Sequence, residues 1–363
     1  MEDRGYWRHE RIAFLALSTL KGVGFRTLYK ISKSGISFSA ALRDPIAAGL
    51  EKFMLEFPAG DFEGQKKLWE SGVAEAKKLG NLKISLMFIK ELRFPQKLAV
   101  IHDNPEWLFV QGNVDNLYMP AVSIVGTRKP SDDGIFLTKF VVSALAHHKC
   151  VTVSGLALGI DQTAHVESMR YGIPTVAVLG TGILENYPRG SEALRGKILD
   201  EGGTIITEYL PSQSYSAENF VRRNRLQAAL ADLLIPAEWQ IKSGTAHTVK
   251  FASQYGKKIV NLHLPMSREL KPELSFSEDA YGALCLEIPK DTQFLAGLIS
   301  VITEPELTSI SDPPEYVLPE GSENSTVSSE PNSSDESRSL VEPEDKEDST
   351  EPNKDIDPQI PLL

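Results

Sequence analysis

Residues 151–165 read VTVSGLALGIDQTAH, and this stretch decides the fold class. Residues 151–154 are mostly β-branched, which is typical of a buried strand. Gly155 and Gly159 follow and favour a tight turn, and residues 159–171 are predicted to form a helix. A strand, a glycine-containing turn and a helix in this order are the repeating unit of a parallel β-sheet.

The same alternation extends from residue 121 to residue 262. Six apolar runs are predicted to be strands, at residues 122–125, 151–154, 175–179, 204–207, 232–236 and 258–262. Helices are predicted between them, near residues 134–147, 159–171, 192–201, 217–230 and 245–255. Six strands separated by five helices predict the α/β class, with an extended Rossmann-like, doubly wound and mostly parallel sheet.

The chain of 363 residues is predicted to have three parts. Residues 1–80 are predicted to form a small helical domain, because apolar residues recur at roughly helical spacing in residues 8–45. Its GVG turn resembles that of a helix-hairpin-helix, so the domain is expected to be SAM-like or helix-hairpin-helix-like. The KGVG turn at residues 21–24 either holds a phosphate or simply connects two helices. Residues 81–303 are predicted to form the Rossmann-like domain, and residues 304–363, rich in Ser, Pro, Glu and Asp, a disordered acidic tail.

The formal net charge of −11 is concentrated in the predicted tail. Residues 304–363 hold 17 acidic and three basic side chains, a net charge of −14 that leaves +3 for residues 1–303. The predicted domains are therefore mildly basic and compatible with an anionic partner. The tail has three interpretations: it covers a basic groove of its own chain, it docks on a partner through the apolar residues at its end, or it is a solubilising disordered segment.

The sequence lacks the signatures of several other classes of protein. It shows no N-terminal signal peptide and no apolar run of about 18 residues, so a cytoplasmic protein without membrane segments is predicted. Cys150 and Cys285 are too few for a disulfide framework or a four-cysteine zinc site. The absence of GxxxxGK(S/T), of GxGxxG at the first strand, of GxSxG and of HExxH predicts no cofactor, no metal and no catalytic group.

Small and charged residues are concentrated after the predicted strands, at the sheet edge where ligands of parallel sheets bind. The candidate site residues are Gly126, Thr127, Arg128, Lys129, Ser154, Gly155, Gly159, Lys242, Ser243 and Gly244, with Arg222, Arg223, Asn224 and Arg225 on a predicted helix. Glycines allow close backbone approach and helix N-termini attract anions, so this edge is predicted to bind phosphate. The arginines can grip phosphate and stack on bases; alternatively they occupy a solvated helix face or form structural ion pairs.

The motifs of this edge resemble the DprA/Smf family of DNA-processing proteins. The similar elements are VGTR at residues 125–128, SGLAxGIDxxAH at 154–165, AVLGxG at 177–182, Tyr187-Pro188, Glu208, FxxRNR at 220–225, and Glu238 followed by SGT at 243–245. The resemblance covers about residues 90–262. The chain departs from the family at Leu184 and Ser191, in the stretch 267–288, and in carrying an acidic tail where many members have a winged helix.

The resemblance implies a helical N-terminal domain, a Rossmann-like DNA-binding domain with single-stranded DNA in a basic pocket, and no enzymatic activity. It further implies a homodimer that acts as a recombination mediator and helps to load a RecA-type recombinase, in natural transformation or in repair. Arg128, Arg223 and Arg225 are implied as DNA contacts, with Lys242 as a further candidate, and the turn glycines are implied to shape the pocket.

Two other functions remain open on the sequence. One is a nucleotide-binding sensor or a nucleotide-processing enzyme of the related Rossmann superfamily. Phosphoribohydrolases of that superfamily carry PGGxGTxxE, whereas residues 242–248 read KSGTAHT without the double glycine or the glutamate. That difference disfavours hydrolysis but leaves ligand sensing open. The other is a structural paralogue whose DNA site has decayed.

Overall fold

The computed structural model describes residues 4–53 and 62–304 of the chain. Within these ranges, the region predicted as a helical domain shows four α-helices, α1 (Arg4–Thr19), α2 (Phe25–Lys33), α3 (Phe38–Arg43) and α4 (Phe62–Asn81). The predicted acidic tail lies outside the described residues except for Glu304. No helix within the described ranges combines the length and apolarity that a membrane crossing requires.

Strands and helices alternate through the rest of the described chain. The strands are β1 (Ile84–Phe88), β2 (Trp107–Gly112), β3 (Ala121–Gly126), β4 (Val151–Ser154), β5 (Thr175–Val178), β6 (Thr204–Thr207), β7 (Leu233–Glu238), β8 (Lys258–His263) and β9 (Leu284–Glu287). The helices are α5 (Gln96–Ala99), α6 (Asp132–Ala144), α7 (Ile160–Arg170), α8 (Glu192–Asp200), α9 (Ala217–Leu230), α10 (Gly244–Gln254), α11 (Pro272–Tyr281) and α12 (Thr292–Thr303). The six predicted strands and five predicted helices are confirmed as β3 to β8 and α6 to α10.

All nine strands belong to one sheet, in the order β1-β2-β6-β5-β4-β3-β7-β8-β9. The seven adjacent strands β6-β5-β4-β3-β7-β8-β9 run parallel to one another. Strand β2 pairs antiparallel with both β1 and β6. The chain passes from β3 to one side through β4, β5 and β6, and then returns to place β7 on the other side of β3. The crevice between the carboxyl ends of β3 and β7 is therefore the topological switch point, where such sheets bind ligands.

Helices cover both faces of the sheet. Val122 and Ile124 of β3 pack with α6, α7 and α12, whereas Val125 packs on the opposite face with α9 and α10. Every residue of β4, β5 and β6 is buried, which explains why all of them except Ser154 are apolar or β-branched. The predicted doubly wound, mostly parallel α/β class is confirmed.

The N-terminal helices pack directly on the sheet near β1 and β2. The Phe14 ring of α1 lies 5.7 Å from the Phe88 ring and 4.8 Å from the Trp107 ring, between centroids. Leu28 of α2 belongs to the same apolar cluster, which also includes Ile205 of β6. This apolar cluster contains residues from both sides of the boundary predicted between residues 80 and 81. The division of residues 1–303 into two domains at that boundary stays a prediction.

Residues 267–303 extend the sheet. Helix α11 leads into β9, which lies parallel to β8 with Val260 opposite Leu284. Helix α12 then places Leu295 and Ile299 in the apolar cluster that also contains residues of α6. The stretch at residues 267–288, which departs from the DprA/Smf motifs, therefore supplies the ninth strand.

The turns that follow β3 and β4 are interlocked through a glycine. Gly159 has a φ of +83° and is the N-cap residue of α7. A Cβ at this position would lie 2.4 Å from the carbonyl oxygen of Thr127. The same oxygen accepts a hydrogen bond from the Ile160 N–H, with 3.2 Å between nitrogen and oxygen. A side chain at residue 159 would therefore separate the two turns.

We expect Gly159→Ala to lower the free energy of unfolding by about 2 kcal/mol or more, because backbone strain at positive φ adds to the contact with Thr127. Gly196 in α8 provides the control, since a Cβ there would meet nothing within 4 Å. Gly196→Ala should raise the free energy of unfolding by about 0.5–1 kcal/mol. Urea unfolding of both variants measures these effects, and an unchanged stability of Gly159→Ala would contradict the interlocked geometry.

Candidate functional site

A cleft of about 490 Å³ opens at the switch point. Its walls come from the turn after β3, the start of α7, one face of α9 and the start of α10. Eight of the predicted site residues line it: Gly126, Thr127, Arg128, Lys129, Arg223, Asn224, Ser243 and Gly244. The fold thus brings together residues that are separated by more than a hundred positions in the sequence.

The turn after β3 forms a cationic rim. Arg128 and Lys129 are both exposed, and no carboxylate in residues 4–53 or 62–304 forms an ion pair with either of them. The Arg128 guanidinium lies 5.5 Å from the centroid of the Phe220 ring, a cation–π contact that holds it beside the cleft. The Thr127 N–H donates to the carbonyl oxygen of Glu238 at 2.8 Å, which fixes the turn against the end of β7.

Arg223 of α9 forms the floor of the cleft. The residue is 4% exposed, and its Nη1 donates to the carbonyl oxygens of Gly155, at 2.7 Å, and of Val178. Burial lowers the pKa of the Arg223 guanidinium to about 10, while the nearby Asp161 charge acts in the opposite direction. Because this pKa is still well above 7, the guanidinium is charged at neutral pH. A Cβ on Gly155 would lie 2.4 Å from Nη1, and the guanidinium therefore requires a glycine beneath it.

Asp161 is the acidic group of the cleft. Its Oδ2 accepts a hydrogen bond from the Gly155 N–H at 3.0 Å, which holds the turn after β4 against the start of α7. Burial raises the pKa of this carboxyl, while the Arg223 charge and hydrogen bonds from the turn oppose the rise. Asp161 thus offsets the buried charge of Arg223 and leaves the rim cations uncompensated.

Helix α9 turns one face to the cleft. Phe220, Arg223, Asn224 and Gln227 follow the i, i+3, i+4, i+7 spacing of a single helix face, and all four line the cleft. Gln227 is buried, and its Nε2 has no hydrogen-bond partner in the described part of the chain. A buried amide donor is costly unless a ligand or a water molecule accepts its hydrogen bond. Helix α9 therefore contributes an aromatic ring, a guanidinium group and two amide side chains to the lining of the cleft.

Arg222 and Arg225 lie on another face of α9, outside the cleft lining. Arg225 donates to both carboxylate oxygens of Glu208, at 2.8 and 2.6 Å, and both side chains are 2% exposed. The Nε of Arg222 lies 3.3 Å from Oε1 of Glu208, and its guanidinium is 5.0 and 5.1 Å from the ring centroids of Phe25 and Tyr29. These are the structural ion pairs that the sequence offered as an alternative, and direct DNA contact by either arginine stays a prediction.

The remaining predicted residues shape the turns or lie at the border of the cleft. The Ser154 Oγ donates to the carbonyl oxygen of Ile124 at 2.6 Å and ties β4 to β3. Ser243 caps α10, and the Gly244 carbonyl oxygen accepts a hydrogen bond from Asn224 Nδ2 at 3.0 Å. Lys242 is exposed in the loop before α10 and is not part of the cleft lining.

The cleft also contains residues outside the predicted set. They are Val125, Ala157, Asp161, Phe220, Val221, Gln227, Thr245 and Thr248. Helical spacing identifies part of this group, because Gln227 follows Arg223 by one turn of α9. Ala157 carries no comparable signal, since its place in the lining depends on the path of the turn after β4.

We expect Glu208→Gln to lower the free energy of unfolding by about 3 kcal/mol, because it leaves the buried Arg225 charge without its bidentate partner. Glu218 provides the control: it pairs with Arg26 at the surface, where the two side chains are 74% and 83% exposed. Glu218→Gln should change the free energy of unfolding by less than about 1 kcal/mol. Chemical unfolding compares the two variants, and equal losses would argue against a structural role for the buried pair.

The chain matches the sequence model of the family described as DNA recombination-mediator protein A over residues 85–273, more than half of its length. It is 36% identical over 166 residues to the DNA processing protein DprA of Streptococcus pneumoniae, which covers 46% of this chain and 58% of that protein. It is 34% identical over 215 residues to the protein Smf of Synechocystis sp., which covers 56% of this chain and 52% of that protein. The matches therefore span little more than half the length of these curated relatives.

Two solved structures share the fold. The X-ray structure of DprA from Streptococcus pneumoniae matches with a TM-score of 0.60 at 24% identity, covering 81% of this chain and 98% of that chain. DNA processing protein A from Helicobacter pylori, whose structure addresses its single-stranded DNA binding mode, matches with a TM-score of 0.52 at 24% identity, covering 60% and 97%. The resemblance predicted from the motifs is confirmed by the family match. The chain belongs to the DNA recombination-mediator protein A family, DprA/Smf.

Proposed function

We propose that the chain binds single-stranded DNA in the cleft between β3 and β7 and acts as a recombination mediator, without catalysing a reaction. The observation that carries this proposal is the composition of the cleft: the uncompensated cations Arg128 and Lys129 and the buried charge of Arg223 converge there. These groups favour an anionic ligand that also accepts hydrogen bonds. A nucleic-acid strand has both properties.

Phosphate groups fit the rim and the helix start. Arg128 and Lys129 attract the backbone, and the N-terminus of α10 at Ser243 and Gly244 adds the positive end of its dipole. Gly126 and Thr127 line the cleft between these groups. In this arrangement Asn224 holds α10 against α9, while Arg222 and Arg225 position α9 through Glu208.

A preference for single strands follows from the aromatic side of the cleft. Phe220 lines the cleft beneath the Arg128 guanidinium. Aromatic rings and guanidinium planes bind bases by stacking, and base faces are accessible in a single strand but already stacked in a duplex. We therefore expect the protein to bind a single strand more tightly than a duplex of the same length.

The proposed partners rest on family membership. We propose that the protein forms a homodimer and passes the strand to a RecA-type recombinase, in natural transformation or in repair. Family membership supports this proposal, as does the Helicobacter pylori relative that binds single-stranded DNA. Light scattering tests the homodimer, and the rate of recombinase assembly on oligo-dT, with and without this protein, tests the mediator activity.

A nucleotide-binding sensor or nucleotide-processing enzyme is the second candidate. The cleft volume of about 490 Å³ falls within the range of about 300–1,000 Å³ that is typical of pockets for small ligands. Titration with mononucleotides separates the two functions. Micromolar binding of a mononucleotide together with no binding of oligo-dT would favour the second candidate.

We expect Arg128→Ala to weaken oligo-dT binding by about 1–2 kcal/mol at low salt, because one charge-assisted contact is lost. The slope of log affinity against log salt should become less negative by about 0.7, the value for one phosphate contact on a single strand. Fluorescence anisotropy with labelled oligo-dT and a matched duplex, at two or more salt concentrations, measures both quantities.

Arg170→Ala is the matched control for this experiment. Arg170 is exposed at the end of α7, at the opposite edge of the sheet, where it pairs with Glu167. Its removal should leave oligo-dT affinity unchanged. If Arg128→Ala binds oligo-dT as tightly as the unmodified protein, or if the unmodified protein prefers the duplex, the proposed function is wrong.

A further inference from the structure

Three aromatic rings lie beside the cleft, on the side formed by Phe220. The ring centroids of Tyr187 and Phe220 are 4.9 Å apart, those of Tyr187 and Tyr215 are 4.6 Å apart, and those of Tyr215 and Phe220 are 6.2 Å apart. Tyr187, Tyr215 and Phe220 together form an aromatic surface. Because Phe220 also lines the cleft and contacts Arg128, the aromatic surface is continuous with the cationic rim.

Tyr215 is the outermost ring of the aromatic surface. It is 58% exposed, whereas Tyr187 and Phe220 are half-buried. No hydrogen bond in the described ranges uses the Tyr215 hydroxyl group. The ring therefore adds little to the core of the fold, and part of it remains available to a ligand.

The glycines of the GTG motif at residues 180–182 make room for the aromatic surface. A Cβ on Gly180 would lie 2.5 Å from the Phe220 ring, so that ring lies directly against the backbone after β5. A Cβ on Gly182 would lie 2.1 Å from the carbonyl oxygen of Leu210. The Gly182 N–H donates to the carbonyl oxygen of Gln213 at 2.7 Å, and this bond draws the loop that bears Tyr215 against the turn.

The backbone on both sides of Tyr215 is fixed. The carbonyl oxygen of Ser214 accepts a hydrogen bond from Asn219 Nδ2 at 3.3 Å. Ser216 is the N-cap of α9, and its side chain accepts from the Asn219 N–H. The ring is thus presented by an ordered backbone, which lowers the entropy lost when a ligand stacks on it.

We propose that the aromatic surface binds bases of the DNA strand by stacking, with Tyr215 as the outermost contact. This inference rests on the proposed function, because the cleft holds the phosphates while the aromatic surface holds the bases next to them. Every base has a stacking face, so the contact tolerates any sequence. Continuity with the cationic rim favours a nucleic acid over an apolar protein partner, since the strand reaches both surfaces at once.

The test compares Tyr215→Ala and Tyr215→Phe on two probes. One probe is labelled oligo-dT, and the other is an abasic oligonucleotide of the same length, which has the phosphates but no bases. Tyr215→Ala should weaken oligo-dT binding roughly tenfold, within the range for one base stacked on an aromatic ring. It should leave the affinity for the abasic probe and the salt slope unchanged. Tyr215→Phe keeps the ring and should bind oligo-dT like the unmodified protein.

Tyr171→Ala is the matched control, because Tyr171 is 42% exposed at the end of α7, at the opposite edge of the sheet. It should not change binding to either probe. The inference is overturned if Tyr215→Ala binds oligo-dT normally, or if it loses the same factor for both probes. If either result is found while oligo-dT binding still depends on Arg128, only the stacking inference fails and the proposed function stands. If the unmodified protein binds neither probe, both the inference and the proposed function are wrong.

Discussion

Arg223 connects helix α9 to the ends of two central strands, and the layout of the cleft depends on this connection. One guanidinium nitrogen reaches the carbonyl oxygens of Gly155, after β4, and Val178, at the end of β5. A buried charge is unfavourable unless it is paired and hydrogen-bonded, and the lowered pKa of about 10 reflects that burial. The surrounding fold meets the requirement with Asp161 and with a glycine at residue 155. Once α9 is held in this way, Phe220 and Gln227 necessarily face the same space.

The face of α9 that bears Arg222 and Arg225 has a structural role. Arg225 and Glu208 form a buried pair, and Arg222 extends it to the rings of Phe25 and Tyr29 on α2. The N-terminal helices are therefore linked to the helix that forms the cleft floor. One short basic segment supplies both a ligand-facing group and a structural anchor, because residues 222 and 223 point in directions that differ by about 100° around a helix of 3.6 residues per turn.

The regular part of the fold could be predicted because its strands are buried on both faces and consist mainly of apolar and β-branched residues, as β4, β5 and β6 show. Strand β9 could not, since it is short and only one of its four residues is buried. The sheet edge at which the cleft lies could also be predicted, because the glycines of the sequence are concentrated after the predicted strands. The roles of the arginines could not be predicted in this way, because Glu208, the bidentate partner of Arg225, lies 17 residues away in the loop after β6. Helical spacing alone places Arg223 on a different face of α9 from Arg222 and Arg225. The contacts with Glu208 show that the face with Arg222 and Arg225 is structural.

Photo-cross-linking tests most directly whether a strand occupies the crevice between β3 and β7. An oligo-dT with photoreactive thymines is irradiated in complex with the full chain, and the cross-linked peptides are identified by mass spectrometry. Cross-links should fall on the turn at residues 126–129 and on peptides that contain Phe220 or Tyr215, at the carboxyl edge of the sheet. Cross-links confined to α1–α4, or to the opposite edge near Tyr171, would contradict the assignment of the cleft as the DNA site.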